Sequence, residues 1–367
     1  MKVTSASLYA AQIPLGSPFR IATMVTDRAE VTLIKLTTDE GLVGWGEATP
    51  LHSINGETQK TVLAACEDLL PVVLGSDPRA PRPVVDLMEY LMPNQHAAAS
   101  AIEMALMDLA SQAVGLPLVR YLGGDARPLP TDQTIGIKPP HEAASAATRF
   151  AKQGHKTIKV KVGSTLDDDV DRVAAVREAI GSDVAIRIDA NQGYRSDDAL
   201  MMLMAISELD VEFCEQPVPR HDHDGLARVA QGSPIPIMAD ESVFSPTDAI
   251  ALIKADACNL FNVKLSKSRG ILRGLEIADI VKSAYGWCMV GGMIETRLGM
   301  TAAAHMGAAR PTFRYFDLDS FTGHTEDPMQ GGAIIRDGDV LLSDAPGLGI
   351  APDPKWVNPL HVKTLKH

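Results

Sequence analysis

The spacing of apolar and polar positions changes twice along the chain. In Val3–Ile13, Glu30–Thr37 and Gly41–Glu47 apolar residues alternate or run together with Thr and Val, which predicts the strands of a meander. Asp39-Glu40-Gly41 supplies the turn between the last two. From Glu57 to Leu118 the apolar residues recur at helical spacing, broken at Gly75, Pro93 and Gly115, which predicts about three helices. Gly123-Gly124 and Pro128-Leu-Pro130 then punctuate the chain. Residues 1–125 are therefore read as an α+β capping domain.

From Thr131 short apolar runs alternate with amphipathic segments. The runs are Gln133–Ile137, Thr157–Val162, Val184–Ile188, Val211–Cys214, Ile235–Met238, Asn259–Val263, Trp287–Val290 and Phe313–Phe316. Strands alternating with helices predict parallel βαβ units, and eight of them predict a modified TIM-type (β/α)₈ barrel over residues 126–320. After Ser320 a hairpin is expected around Asp337-Gly338. The tail, residues 321–367, is too short for its own core and is expected to pack back on the capping domain.

The length of 367 residues suits one barrel plus a smaller domain. With 34 Lys and Arg against 46 Asp and Glu, the net charge is −12, which argues against nucleic acid or an anionic membrane as partner. The most apolar stretch, Ala97–Leu118, carries Glu103 and Asp108 and reads as a packed helix, not a membrane span. Met1-Lys-Val-Thr-Ser does not open a signal peptide. Cys66, Cys214, Cys258 and Cys288 match no zinc or redox spacing and are expected as buried thiols of a cytoplasmic protein.

Active sites of such barrels lie at the C-terminal strand ends. Asp189, Glu215 and Asp240 end consecutive strands, 26 and 25 residues apart, so one βα unit separates each from the next. Three converging carboxylates require a cation, and oxygen-only ligands favour a hard one such as Mg²⁺. Each could instead cap the following helix. Lys159 and Lys161 lie two apart on one strand and so share its inward face. Lys264 enters from the opposite side. Two lysines flanking one carbon can serve as an acid/base pair, provided their surroundings draw a lysine pKa toward the working pH. Lys267 and Lys282 read as lysines that snorkel to solvent. His221-Asp-His223 reads as surface, His52 and Asn55 as a loop that could reach the barrel mouth, and Gly291-Gly292 as a tight turn.

This combination resembles the enolase superfamily in its muconate-lactonizing-enzyme subgroup. The resemblance spans the chain through Gly44-Trp-Gly-Glu-Ala48, Ala101-Ile-Glu-Met-Ala-Leu-Met-Asp108 and Gly115-Leu-Pro-Leu118. It continues through Lys159-Val-Lys-Val-Gly163, Asp189-Ala-Asn-Gln-Gly193, Glu215-Gln-Pro217, Asp240-Glu-Ser242, Asn262-Val-Lys264 and Met293-Ile-Glu-Thr296. It implies that Asp189, Glu215 and Asp240 hold Mg²⁺, with Mn²⁺ a substitute. Lys161 and Lys264 would form the acid/base pair. Lys159 would steady an enolate at the metal, and Asn191 would support the ligands.

Asp317-Leu-Asp319 ends the eighth strand and places two acceptor-only groups on one face, which suits an ammonium. The pair resembles that of dipeptide epimerases and implies epimerisation at the α-carbon of a dipeptide's C-terminal residue. It could alternatively cap a last barrel helix. In the branch acting on Ala-Glu an arginine follows Pro18-Phe19 in a mobile loop. Here that position is Met24, with Arg20 nearer the loop's start, which argues against a Glu side chain. Met24, Ile54 and Met293 would make a more apolar pocket, whereas Glu295 leaves a cationic dipeptide open. Racemisation of an N-acylated or betaine-type amino acid is the alternative reaction, and a small-acid binder without turnover a third reading. The family resemblance implies a homo-oligomer.

Overall fold

The computed structural model describes residues 1–367. Strand β1 (Val3–Ile21) and strand β2 (Met24–Thr38) pair antiparallel in a ribbon longer than the apolar pattern indicates. The outer part, Pro14–Arg28, is mostly polar or exposed, so apolar alternation does not mark it. This corrects the mobile loop expected after Pro18-Phe19. Phe19 pairs with Thr26 and Ile21 with Met24, across a turn at Ala22-Thr23.

Strand β3 (Val43–Ala48) adds to β2, and helices α1 (Gln59–Val73), α2 (Arg82–Leu91) and α3 (His96–Ala113) pack with the sheet. The spacing of Gly44 and Gly46 has a direct cause. A Cβ on Gly46 would lie 1.9 Å from the Ala101 carbonyl oxygen, and one on Gly44 2.3 Å from that of Ala105. Only glycine lets β3 lie against the α3 backbone.

The barrel strands are β4 (Gln133–Ile135), β5 (Thr157–Lys161), β6 (Ala185–Asp189), β7 (Val211–Glu215), β8 (Ile237–Ala239), β9 (Leu260–Val263), β10 (Trp287–Val290) and β11 (Phe313–Phe316). They form one parallel eight-stranded sheet in chain order. A bridge between Thr131 and Phe316 joins its two edges, with the Asp132 N–H donating to the Phe316 carbonyl at 3.1 Å. Between the strands run α4 (Pro140–Lys152), α5 (Leu166–Ile180), α6 (Ser196–Ala205), α7 (His223–Gly232), α8 (Pro246–Lys254), α9 (Ile271–Ser283) and α10 (Arg297–Ala308). Thr165, Asp222, Ser245 and Thr296 cap four of these helices through their side chains. Only the 3₁₀ turn Ser320–Gly323 follows β11, so the helix ring is one short.

In the tail, the hairpin Ile334–Arg336 with Asp339–Leu341 pairs with Leu129–Pro130 at the barrel entry. His361–Lys366 then pairs antiparallel with β1. The four cysteines are buried thiols.

Two buried carboxylates of the capping segment hold the barrel. Glu47 of β3 accepts from the Thr296 N–H at 2.7 Å, the Thr296 hydroxyl at 2.5 Å and the Gly299 N–H at 2.9 Å, at the start of α10. Glu103 of α3 accepts from the Ile271 N–H at 2.5 Å and the Leu272 N–H at 2.8 Å, at the start of α9. Each carboxylate serves orphan donors at a helix N-terminus across the domain boundary. Glu47→Ala strands these donors and should lower stability by about 3 kcal/mol in urea unfolding. A loss below about 0.5 kcal/mol, the range of ordinary surface changes, would show that the contact does not hold the domains.

Candidate active site

Alternation along β5 turns Lys159 and Lys161 inward, and both are buried. Asp189 ends β6, Glu215 ends β7 and Asp240 follows β8. Their carboxylate oxygens lie within 4.8 Å of one another. The chain leaves these strands through strained residues: Asn191 has φ 40°, Gln192 φ 70° and Gln216 φ 37°. Such conformations persist where surrounding bonds over-determine them. Gln216 Oε1 accepts from the Asp240 N–H at 2.9 Å and the Ser242 N–H at 3.1 Å, tying β7 to β8. The Asn191 N–H donates to Asp189 Oδ1 at 2.9 Å and its amide to Glu241 Oε1 at 3.2 Å. Asn262 donates to Glu215 Oε1 at 2.6 Å. Asn191, Gln216, Glu241 and Asn262 thus join the carboxylates in one hydrogen-bonded network.

Four ammonium groups meet these anions. Lys159 Nζ lies 2.7 Å from Glu215 Oε2, 2.7 Å from Asp317 Oδ2 and 3.1 Å from Asp189 Oδ2. Lys161 reaches Asp189 Oδ2 at 2.5 Å, and Lys264 reaches Asp240 Oδ2 at 2.7 Å. Lys267 is a correction: instead of snorkelling to solvent it is fully buried, 2.5 Å from Asp240 Oδ1 and 3.0 Å from the Asn262 carbonyl. It is the first turn of chain after β9 that folds it back beneath the site.

Burial alone would lower the Lys264 ammonium pKa, but the charges of Asp240 and Glu215 outweigh it and hold the group above the ordinary lysine range. The carboxylates by themselves therefore hold this lysine protonated. Burial, then the charge of Asp189, raises Glu215 to about 7. Burial, then the charge of Asp240, raises Glu241 to about 8. The cluster resists carrying all its negative charge without more positive charge. An all-oxygen, buried donor set of this kind fits a hard divalent cation.

Asp317 and Asp319 stand beside this cluster. Asp319 Oδ2 accepts from the Thr134 N–H at 2.6 Å and the Gln133 amide at 2.8 Å. Neither caps a helix, since none follows β11 and the 3₁₀ turn after Asp319 receives no side-chain cap. Asp132 completes a second buried trio with them and is paired with Arg187 at 2.8 Å. Asp132 precedes β4, at the wrong end of a strand for the strand-end rule to find it.

A cavity of about 460 Å³ opens over these groups, lined by Lys161, Asp317, Asp319, Met293 and Arg20 among others. Met24 and Ile54 do not line it. The Met24 sulfur instead accepts from the Ser53 hydroxyl at 3.2 Å, and Ile54 is buried with its carbonyl taken by Arg220 at 3.1 Å. Phe19, Ile135 and Ile137 supply the apolar wall in their place. Glu295 also turns away: its carboxylate accepts from the Met293 N–H at 2.5 Å and faces a small second cavity shared with Glu47. Gly291 packs closely against the barrel, since a Cβ there would lie 2.4 Å from Asn262 Oδ1. His52 and Asn55 form a short helix outside the cavity wall.

Barrel, strand-end carboxylates and inward lysines together define a class of barrel proteins with a buried acidic cluster that can hold a divalent cation beside lysine ammonium groups. Residues 3–123 match the mandelate racemase / muconate lactonizing enzyme N-terminal domain, and residues 142–356 the enolase C-terminal domain-like family. The chain belongs to this mandelate racemase/muconate lactonizing enzyme family of the enolase superfamily. It is 36% identical over 354 residues to the L-Ala-D/L-Glu epimerase of Bacillus subtilis, covering 95% of this chain and 97% of that one. The dipeptide epimerase of Cytophaga hutchinsonii, solved with Mg and D-Ala-L-Val, superposes with a TM-score of 0.96 at 35% identity, covering 100% of this chain and 99% of that one. The dipeptide epimerase of Enterococcus faecalis, solved with Mg and L-Leu-L-Tyr, gives a TM-score of 0.93 at 37% identity, covering 96% and 100%.

A cation that binds only the folded chain raises its stability by about 2.7 kcal/mol at a hundredfold excess over Kd. Mg²⁺ should therefore raise the thermal midpoint of the wild type in a concentration-dependent way, and Glu215→Gln should need a much higher concentration. Equal shifts in both proteins would place the ion elsewhere.

Proposed function

We propose that this protein is a Mg²⁺-dependent isomerase that epimerises a dipeptide at the α-carbon of its C-terminal residue. The observation that carries the reading is the joining of two buried sites: Lys159 bridges Glu215 of the Asp189–Glu215–Asp240 cluster to Asp317, which with Asp319 and Lys161 lines the main cavity. The relatives named above are dipeptide epimerases, but their names differ in the dipeptide and so leave its side chain open.

Asp189, Glu215 and Asp240 would hold the ion, whose Lewis acidity stabilises negative charge on the substrate carboxylate. Lys161 and Lys264 would flank the α-carbon. One accepts the α-proton and the other donates a proton from the opposite face, so the configuration inverts. The Lys159 ammonium, held by Glu215 and Asp317, faces the carbanion and lowers its energy without reorganising. Lys264 must be neutral to act as a base, and a bound cation offsets the carboxylate charges that keep it protonated.

Asp317 and Asp319 would receive the dipeptide's ammonium. N-acylated and betaine-type amino acids carry no primary ammonium for this pair, so the pair favours a dipeptide over the alternative substrates. The epimerised side chain would rest on Met293 and the apolar wall of Phe19, Ile135 and Ile137, which favours an apolar residue over Glu.

Incubating the Mg²⁺-loaded protein with L,L-dipeptides in D₂O should place deuterium at the C-terminal residue's α-carbon, read by mass spectrometry. Exchange with N-acylamino acids and with no dipeptide would overturn the reading. The reaction should also depend on pH. Burial, then the charge of Asp317, raises Asp319 to about 7, so below that value it is neutral and attracts an ammonium less. KM should fall as pH rises through about 7, and Asp319→Asn should flatten that limb. A wild-type KM independent of pH in this range would remove Asp319 from ammonium recognition.

A further inference from the structure

The main cavity carries both signs of charge: the buried Asp317 and Asp319 line it together with the exposed Arg20 and Arg149 and the half-buried Lys138. These three cations line one cavity although the chain carries an excess of 12 negative charges. Arg149 rests its guanidinium 4.8 Å from the Phe150 ring centre and has no anionic partner.

All three cations belong to one side of the barrel. Lys138 continues the chain of β4, Arg149 lies on α4, and the Arg20 carbonyl accepts from the Ile137 N–H at 2.8 Å. The same side anchors Asp319, whose Oδ2 takes the Thr134 N–H at 2.6 Å. Thr134 and Lys138 are four residues apart, at most about 13 Å along an extended chain.

We propose that Arg20, Lys138 and Arg149 form a subsite for an acidic side chain on the amino-terminal residue of the substrate, so that the preferred class is Glu-Xaa or Asp-Xaa with an apolar Xaa. This rests on the dipeptide epimerase reading and refines it. The ammonium and the side-chain carboxylate of one residue then meet opposite charges within one cavity. The epimerised residue would lie between Lys161 and Lys264, with its side chain on Met293 and the apolar wall.

The test compares deuterium incorporation at the C-terminal α-carbon for two isosteric pairs, Glu-Leu against Gln-Leu and Leu-Glu against Leu-Gln, with Mg²⁺-loaded protein at low ionic strength. Glu-Leu should exceed Gln-Leu about tenfold in kcat/KM, as three partly exposed charges allow. In a Lys138→Met, Arg149→Met double variant that ratio should fall to within about twofold, and added salt should lower it in the wild type. Equal rates for Glu-Leu and Gln-Leu, or a preference confined to Leu-Glu, would overturn the subsite while leaving dipeptide epimerisation standing. Absence of exchange with every dipeptide would overturn both.

Discussion

The structure depends on one electrostatic constraint: many carboxylates must share a water-poor barrel mouth. Bare anions in such surroundings are strongly disfavoured. The chain answers with an ordered lattice of opposite charges. Lys159 bridges Glu215, Asp189 and Asp317, and Asp240 is gripped from two sides by Lys264 and Lys267. Where the lattice falls short, burial and neighbouring anions raise Glu215, Glu241 and Asp319 above the ordinary carboxylate range. A divalent cation is the group that completes this balance.

The same logic governs how the two domains meet. The capping segment inserts the Glu47 and Glu103 carboxylates into the N-terminal ends of α10 and α9, where aligned backbone donors await an acceptor. That docking also fixes the β1–β2 ribbon over β4, where the Arg20 carbonyl meets the Ile137 N–H. The cavity wall is therefore built jointly by both domains. Its outer charges belong to the geometry of their contact and not to the strand ends alone.

Much of this was legible in the sequence because strand periodicity and strand-end chemistry are local signals. Eight apolar runs located the barrel strands, and the regular spacing of Asp189, Glu215 and Asp240 brought them to one point. The failures share a cause, since each needed a long-range contact. Lys267 looks like any lysine near a helix start until the fold buries it under Asp240. Glu295 stands in a motif that points to the substrate, yet its carboxylate accepts from the Met293 N–H and faces Glu47's cavity. The ribbon at Pro14–Arg28 has a polar exterior, so nothing periodic marks it, and Met24 is read as part of a loop where the structure has a strand. Asp132 lies before its strand and becomes visible only when β11 closes beside β4.

The central claim is that Lys161 and Lys264 address opposite faces of one α-carbon within this charge lattice. It is tested most directly by following α-proton exchange in D₂O separately for the two epimers of one dipeptide, in Lys161→Ala and in Lys264→Ala. The account predicts that each variant loses exchange of the epimer whose α-proton faces the missing lysine. Exchange of both epimers at the wild-type rate in either variant would contradict it.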